Sequence, residues 1–148
     1  MLLPTPIGPL WLEVSPRGVR RLEPVLLPRG KEAEGPWADR VAEAVARYFR
    51  GERPGFGDIP LDYSGLSPKQ VAVYEATRRV PYGRTVSYGS LAEDLGLFPR
   101  AVGAALRACP FFLLVPAHRV VHADGRLGGF AGREGLKAWL LRFEAGGA

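Results

Sequence analysis

The chain has 148 residues, with one cysteine and two histidines, and this length predicts one compact domain or two small ones. A hydrophobic fraction of 47% beside 24% charged residues excludes wholesale disorder. No apolar run approaches the ~18 residues of a membrane span, and a lone cysteine excludes an intramolecular disulfide or a cysteine-based zinc cage. Because Pro4 and Pro6 interrupt the apolar N-terminus, no signal peptide is expected. We expect a soluble cytoplasmic protein without a metal or a cofactor.

The net charge of +5 is unevenly distributed along the chain. Residues 1–60 contain nine basic and eight acidic side chains, whereas residues 61–148 contain eleven and seven. The basic excess therefore lies mainly in the second part, which indicates an anionic partner for that part.

Residues 1–60 have the pattern of a small α/β domain. Alternating residues predict a strand at 10–14, a turn at 15–18 and a second extended segment at 19–25. Proline and glycine predict a loop over 28–36, and apolar residues at helical spacing then predict a helix over 37–50. Residues 52–60 are rich in proline and glycine, so we predict a domain linker there, at the end of this domain.

The second domain, residues 61–148, is predicted to be mainly helical. Ser67 is an expected N-cap for a helix that ends near Arg79, and Ser87 is one for a short helix that Gly96 terminates. Pro99 begins a third helix that ends at Arg107.

Two short helices joined by a glycine-containing turn are typical of a helix-turn-helix. Beyond them, Asp124-Gly125 predicts a hairpin over residues 120–127, and a last helix over 134–144 is predicted to turn four apolar residues toward the core: Leu136, Trp139, Leu140 and Phe143. The fold class predicted is α/β (α+β), with a small sheet-plus-helix domain followed by a winged helix-turn-helix-like domain.

The third helix presents small side chains and has an arginine near each end. The small residues are Ala101, Gly103, Ala104, Ala105 and Ala108, and the arginines are Arg100 and Arg107. A tightly packed internal helix would need small residues equally. The order of the helices and the basic bias favour a DNA-contacting surface, with Arg100, Ala101, Gly103, Ala104 and Arg107 as candidate contacts.

Residues 116–121, Pro-Ala-His-Arg-Val-Val, resemble the Pro-Cys-His-Arg-Val signature of the O6-alkylguanine-DNA alkyltransferase family. Four further stretches resemble the family in order and spacing: residues 80–88, 100–103, 124–130 and 137–144. The resemblance covers most of residues 61–148, whereas residues 1–60 resemble the family only in length and element order.

The resemblance places Ala117 where the family has its reactive cysteine, which is a feature of the alkyltransferase-like subfamily. It implies a protein that is not an enzyme, binds O6-alkylguanine in double-stranded DNA and passes the lesion to nucleotide-excision-repair proteins. It also implies a monomer with no membrane partner. His118 and Glu144 match the pair that activates the family's thiol, and they have no thiol to activate here.

The family resemblance also assigns roles in base flipping. Tyr88 matches a tyrosine that crowds the phosphate beside the target, and Arg100 matches an arginine that enters the duplex from the minor groove. The implied alkylguanine pocket is formed by Ala117, Val120, Phe130 and Ala131.

Two departures from the family pattern concern the pocket and the turn after the third helix. Phe130-Ala131 replaces a Tyr-Ser pair, which makes the pocket wall more apolar. Cys109-Pro110 replaces an Asn-Pro pair, so this turn must be stabilised differently here.

Two other functions are open on the sequence. One is an active alkyltransferase with an unusual nucleophile, for which Cys109 is the only thiol. The other is a winged-helix regulator in which the pocket is vestigial. Ala117 counts against the enzyme. The presence of Tyr88, Arg100 and a glycine-rich loop counts against the regulator; its glycines, which are expected to let the loop approach the base, are Gly128, Gly129 and Gly132.

Overall fold

The structure is a computed structural model, and it describes residues 1–25, 35–130 and 132–146. The chain forms two compact units. The first unit comprises residues 1–64 and 110–114, and the second comprises residues 65–109 and 115–148. The predicted loop over residues 28–36 lies largely outside the described residues. The mixed helix-and-sheet fold class is confirmed.

In its described residues, the first unit consists of a three-stranded antiparallel sheet and one helix. The strands are β1 (Leu2–Leu3), β2 (Leu10–Ser15) and β3 (Gly18–Pro24), in the order β1-β2-β3, and the helix is α1 (Pro36–Phe49). Helix α1 packs on β2 and β3, and its apolar face contributes Val41, Val45 and Tyr48 to the core. This part of the sequence folds as its periodicity predicts.

The predicted linker, residues 52–60, is packed into the first unit. Ile59 is only 1% exposed, and the Pro60 carbonyl oxygen accepts a hydrogen bond from the Val19 amide at 2.9 Å. A Cβ at Gly18 would lie 2.3 Å from that same oxygen, so only glycine fits at this turn. The strand β3 needs partners along its outer edge, and this segment supplies one of them.

The other partner of β3 is residues 110–114, which were predicted to belong to the second domain. The Leu22 amide donates to the Pro110 carbonyl and the Phe112 amide donates to the Leu22 carbonyl, both at 2.8 Å. The first unit therefore includes a segment that is distant from its other residues in the sequence. A single boundary after residue 60 does not describe this division of the chain.

The described residues of the second unit form four α-helices and two short parallel strands. The helices are α2 (Pro68–Arg78), α3 (Tyr88–Leu95), α4 (Pro99–Arg107) and α5 (Glu134–Glu144), and the strands are β4 (Val86–Ser87) and β5 (Val120–Val121). A 3₁₀ helix, Ala117–Arg119, precedes β5.

The helix ends of this unit follow the predicted local signals. Ser67 forms a capping box with Gln70, the Ser87 side chain accepts from the Ser90 amide, and Gly96 ends α3 in the left-handed conformation. In the part of the chain that the structure describes, no helix is both long and apolar enough to cross a membrane.

The predicted hairpin over residues 120–127 is wrong. A turn does form at Asp124-Gly125, and the His122 amide donates to the Arg126 carbonyl at 2.8 Å. However, β5 pairs in parallel with β4, not with the residues that follow the turn. The pairing is set by a strand over thirty residues earlier in the chain, which a local turn signal does not report.

The face of α5 that packs inward also differs from the prediction. Of the four predicted core residues only Leu140 is buried, whereas Leu136, Trp139 and Phe143 are half-buried. The other buried positions are Lys137 and Glu144. Two charged residues can occupy this face because each finds hydrogen-bond partners inside the second unit, as described below.

Candidate functional site

The 3₁₀ helix after Pro116 places Ala117, His118 and Arg119 at the centre of the candidate site. The Ala117 amide donates to the Val115 carbonyl at 2.7 Å, and the Arg119 amide donates to the Pro116 carbonyl at 2.9 Å. Ala117 is half-buried, while His118 and Arg119 are buried. The side chain at position 117 is a methyl group, which has no lone pair to attack an alkyl carbon.

The Glu144 carboxylate is the acceptor at the centre of a buried hydrogen-bond cluster. His118 Nε2 lies 2.6 Å from Glu144 Oε2, and Arg119 donates through Nε and Nη2 at 2.8 and 2.9 Å. The Gly83 amide adds a fourth contact at 3.1 Å, and Arg119 Nη1 also donates to the Val80 carbonyl at 2.8 Å. This cluster connects α5, the 3₁₀ helix and the turn before β4.

His118 is held in its neutral form. Burial lowers its pKa, and the Glu144 carboxylate opposes that shift without overcoming it. The bidentate Arg119 guanidinium already balances the charge of that carboxylate. Since a carboxylate can only accept, the neutral imidazole carries its proton on Nε2 and leaves Nδ1 as an acceptor. A neutral histidine of this kind could take a proton from a nearby thiol, but residue 117 supplies none.

The buried Lys137 and the half-buried Tyr88 form a second cluster. The Lys137 side chain is 0% exposed, and its Nζ donates to the Val120 carbonyl at 2.7 Å and to the Tyr88 hydroxyl at 3.2 Å. Burial lowers the pKa of Lys137 to about 8, and burial likewise raises the pKa of Tyr88. Because the phenol oxygen accepts from Lys137, the proton of the Tyr88 hydroxyl remains available to an incoming acceptor.

The Tyr88 ring is also held from the side of residues 122–130. The His122 ring lies 5.0 Å from the Tyr88 ring, centroid to centroid. Gly128 has a φ of 82°, and a Cβ there would lie 2.8 Å from the Tyr88 hydroxyl. Glycine at 128 thus allows the main chain to lie close to Tyr88, whereas a Cβ at Gly129 or Gly132 would meet nothing within 4 Å.

The four residues of the predicted pocket have different environments. Val120 is 0% exposed, and its carbonyl oxygen holds Lys137. Phe130 is half-buried, with its ring centroid 5.9 Å from Lys137 Nζ. Ala117 is half-buried on the 3₁₀ helix, and Ala131 lies outside the described residues.

Helix α4 carries a stripe in which Arg100, Ala104 and Arg107 are exposed, flanked by the half-buried Ala101 and Gly103. We call these five residues the α4 stripe. Among the described residues none forms a hydrogen bond or ion pair with the Arg100 side chain. The Arg107 guanidinium folds back along the helix, since a Cβ on Gly103 would lie 3.4 Å from its Nη1.

The inward side of α4 consists of Val102, Ala105 and Leu106. Ala105 was predicted on the DNA-contacting face, but it is buried. Its carbonyl accepts from the buried Tyr74 hydroxyl of α2 at 2.6 Å. This bond holds the last turn of α4, next to Cys109, where the family resemblance leads one to expect an asparagine.

Within the second unit the structure brings two pairs of predicted site residues close together, His118 with Glu144 and Tyr88 with Arg107. Arg107 of the α4 stripe lies close enough to Tyr88 to lower its pKa, in opposition to burial. The positive charge of Lys137 lowers the pKa of His118, in the same direction as burial. Among the described residues, no group of three or more His, Cys, Asp or Glu side chains could hold a metal ion.

Sequence reasoning did not single out Lys137, Arg119 or His122 as site residues. One signal was available: Lys137 and Glu144 are seven residues apart, so they share the face of α5 on which Leu140 is buried.

The fold and the site define a protein of the DNA alkyltransferase class. The model of the DNA-binding domain of 6-O-methylguanine DNA methyltransferase matches residues 68–146, and the chain belongs to this family. It is 76% identical over 144 residues to the DNA base-flipping protein of Thermus thermophilus, covering 97% of this chain and 98% of that protein.

Other relatives carry the name of an enzyme. The chain is 37% identical over 145 residues to a methylated-DNA–protein-cysteine methyltransferase of Metallosphaera sedula, covering 95% of this chain and 88% of that one. Among solved structures it is similar to Mycobacterium tuberculosis OGT in complex with DNA, with a TM-score of 0.84 and 34% identity over 99% of this chain and 92% of that one. The family thus includes proteins named for methyl transfer and one named for base flipping.

Proposed function

We propose that this protein is a non-enzymatic sensor of DNA damage that binds O6-alkylguanine in duplex DNA by flipping the modified base. One observation carries the proposal: Tyr88 is held by Lys137, His122 and Gly128, while position 117 beside His118 has only a methyl group. The name of the 76% identical relative, a DNA base-flipping protein, supports it.

The α4 stripe suits an approach to the minor groove. Its alanines and glycine let the helix lie close to a narrow surface, and the arginine at each end can neutralise phosphate charge. Arg100 is exposed, and a long cationic side chain can fill the space that a flipped base leaves. Minor-groove contacts carry little sequence information, which suits a protein that must find lesions in any context.

Tyr88 supplies the opposing contact in this proposal. Its ring is held in place by neighbours, so little side-chain entropy is lost when it presses against the phosphate beside the target. The flipped base would enter a pocket formed by Ala117, Val120, Phe130 and Ala131. A methyl group at position 117 and the absence of two family hydroxyls leave room for large alkyl groups.

A protein that binds a lesion without removing it must pass the lesion on. We therefore propose that the complex recruits nucleotide-excision-repair proteins, and that the sensor acts as a cytoplasmic monomer. Incision by purified repair proteins on O6-alkylguanine DNA, with and without this protein, tests the recruitment. Equal incision in both reactions would remove this part of the proposal.

The central experiment titrates the protein into matched duplexes with and without O6-methylguanine and then measures the intact mass of the protein. We expect tighter binding to the lesion duplex and no gain in mass. A gain of one methyl group would identify an active enzyme. Equal affinity for both duplexes would favour a winged-helix regulator.

Cys109 is a poor candidate for the nucleophile of such an enzyme. It follows the C-terminal end of α4, where the main-chain carbonyls disfavour a thiolate. It is half-buried and close to the buried Tyr74. The mass measurement should therefore show an unmodified Cys109.

A further inference from the structure

Phe98 is an apolar side chain in an unusual position. It lies in the turn between α3 and α4 and is 81% exposed, whereas Leu2, the other exposed large hydrophobic residue among the described ones, is 38% exposed. The Phe98 ring makes no contact with another aromatic ring in the described part of the chain. Folding of the second unit therefore gains little from this phenylalanine.

Phe98 also occupies a position where a polar residue would stabilise the protein. It is the N-cap of α4, and its side chain forms no capping hydrogen bond. Ser67 and Ser87 do form such bonds at the starts of α2 and α3. A serine, threonine, aspartate or asparagine is the favoured residue at this position. The phenylalanine thus neither packs nor caps.

The main chain that carries the ring is rigid. Pro99 follows directly and restricts Phe98 to an extended conformation, with φ −84° and ψ 148°. The Phe98 carbonyl accepts from the amides of Ala101 and Val102 at 2.9 and 3.3 Å. The ring is therefore presented from a fixed point at the start of α4, and binding would cost little backbone entropy.

Phe98 is two residues before Arg100, which is also exposed. We infer that Phe98 is a second DNA-inserting side chain, an apolar wedge that enters the minor groove at the base step beside the one that Arg100 enters. Apolar wedges at minor-groove steps unstack the bases partly and bend the duplex toward the major groove. This inference rests on the proposed function and adds a residue that determines DNA bending.

The charge around Phe98 favours DNA over an apolar protein partner. Arg100 and Arg107 are exposed on the same helix, and the chain from residue 61 onward has eleven basic and seven acidic side chains. A polyanion with stacked aromatic bases offers both partners that this surface lacks, namely negative charge for the arginines and an apolar π surface for the ring.

The test compares Phe98→Ser with Phe98→Trp in the full-length protein. The serine restores a favoured N-cap, so we expect an equal or higher melting temperature. It removes the wedge, so we expect about tenfold weaker binding to an O6-methylguanine duplex and a smaller bend, measured by energy transfer between dyes at the duplex ends. The tryptophan should bind and bend within about twofold of the wild type, because base stacking tolerates any aromatic ring.

The second readout is 2-aminopurine fluorescence at the base step next to the lesion. The wild type should increase it by unstacking that step, and Phe98→Ser should not. Leu2→Thr is the matched control, since it removes an exposed apolar side chain from the first unit, and it should change none of these measurements.

The outcomes separate this inference from the proposed function. If the wild type shows no lesion preference, the proposed function fails. If the wild type prefers the lesion but Phe98→Ser binds, bends and unstacks DNA as the wild type does, Phe98 does not insert into DNA and the inference is wrong. Loss of self-association in Phe98→Ser with unchanged DNA binding would assign the ring to a contact between copies of the chain and would also overturn it.

Discussion

Gly128 combines two constraints at one residue. Its φ of 82° is a conformation that other residues rarely adopt, and its Cα faces the Tyr88 ring directly. We expect Gly128→Ala to lower the free energy of unfolding by about 1–3 kcal/mol, through backbone strain and displacement of Tyr88. Urea denaturation measures the free energy of unfolding, and titration with a lesion duplex measures how the displacement of Tyr88 affects DNA binding.

The control for this substitution is the next residue. Gly129 is exposed, and a Cβ there would meet nothing within 4 Å, so Gly129→Ala should change stability and binding little. If the two variants behave alike, the close packing of residue 128 on Tyr88 has no energetic consequence.

Glu144 accepts hydrogen bonds from His118, Arg119 and the Gly83 amide. Removing its charge leaves the Arg119 guanidinium buried without a countercharge. We expect Glu144→Gln to lower the free energy of unfolding by about 3–5 kcal/mol. Chemical denaturation measures this value. The control is Glu134→Gln, which changes an exposed carboxylate on the same helix. If Glu144→Gln lowered the free energy of unfolding as little as Glu134→Gln does, the buried cluster would not depend on the Glu144 charge.

Arg100 should act in discrimination more than in general affinity. Its side chain is exposed, and in the proposed complex it is inserted only when a base is flipped. We expect Arg100→Ala to lose about 1–3 kcal/mol on an O6-methylguanine duplex and less on unmodified DNA. Titrations at one salt concentration measure both values. An equal loss on both duplexes would show that Arg100 is only a phosphate contact. The control is Arg126→Ala, an exposed arginine outside the α4 stripe, for which we expect a small and equal loss on both duplexes.

Helix α5 makes stability depend on pH through its buried polar face. Lys137 has a pKa of about 8 in the folded protein, below its ordinary value of 10.5. Between these two pH values the unfolded chain binds more protons than the folded one. The free energy of unfolding should therefore gain a contribution that rises as pH increases from about 8 toward 10.5, with no change from this group below that window.

The variant Lys137→Met isolates this contribution, because methionine has similar length and no charge. Denaturation midpoints at several pH values from 7 to 10 should rise for the wild type and stay flatter for the variant. Parallel curves for the two proteins would show that Lys137 does not lose its proton in this window.

For the whole molecule, the proposed function predicts that the side chain at position 117 decides whether the protein only binds the lesion or also accepts its methyl group. In Ala117→Cys, neutral His118 can accept the thiol proton on its unprotonated nitrogen, while Tyr88 and Arg100 still deliver the base. We expect slow single-turnover methyl transfer, slower than in a typical family enzyme, since Phe130 and Ala131 lack two family hydroxyls.

Intact-mass and peptide analysis after incubation with methylated DNA tests this expectation. Replacing Cys109 by serine in the same protein leaves residue 117 as the only thiol, so any methyl group can be assigned. If this variant folds and prefers lesion DNA but stays unmodified, residue 117 does not lie at the alkyl carbon of the flipped base.

The sequence by itself determined the helix boundaries of the second unit. The signals at Ser67, Ser87, Gly96 and Pro99 are capping and breaking residues that act within about one helical turn. The sequence also predicted that Ala117 stands where the family has its reactive cysteine. This prediction came from the short motif at residues 116–121, and membership of the family is confirmed.

Only the tertiary structure decided which charged groups are buried and which strands pair. Lys137 and Glu144 occupy the inward face of α5 because Val120, Tyr88, His118 and Arg119 come from elsewhere in the chain to meet them. Strand β5 likewise pairs with β4, and residues 110–112 complete the edge of β3. These choices depend on partners distant in sequence, and a local pattern of apolar residues does not record whether a charge will find its partner.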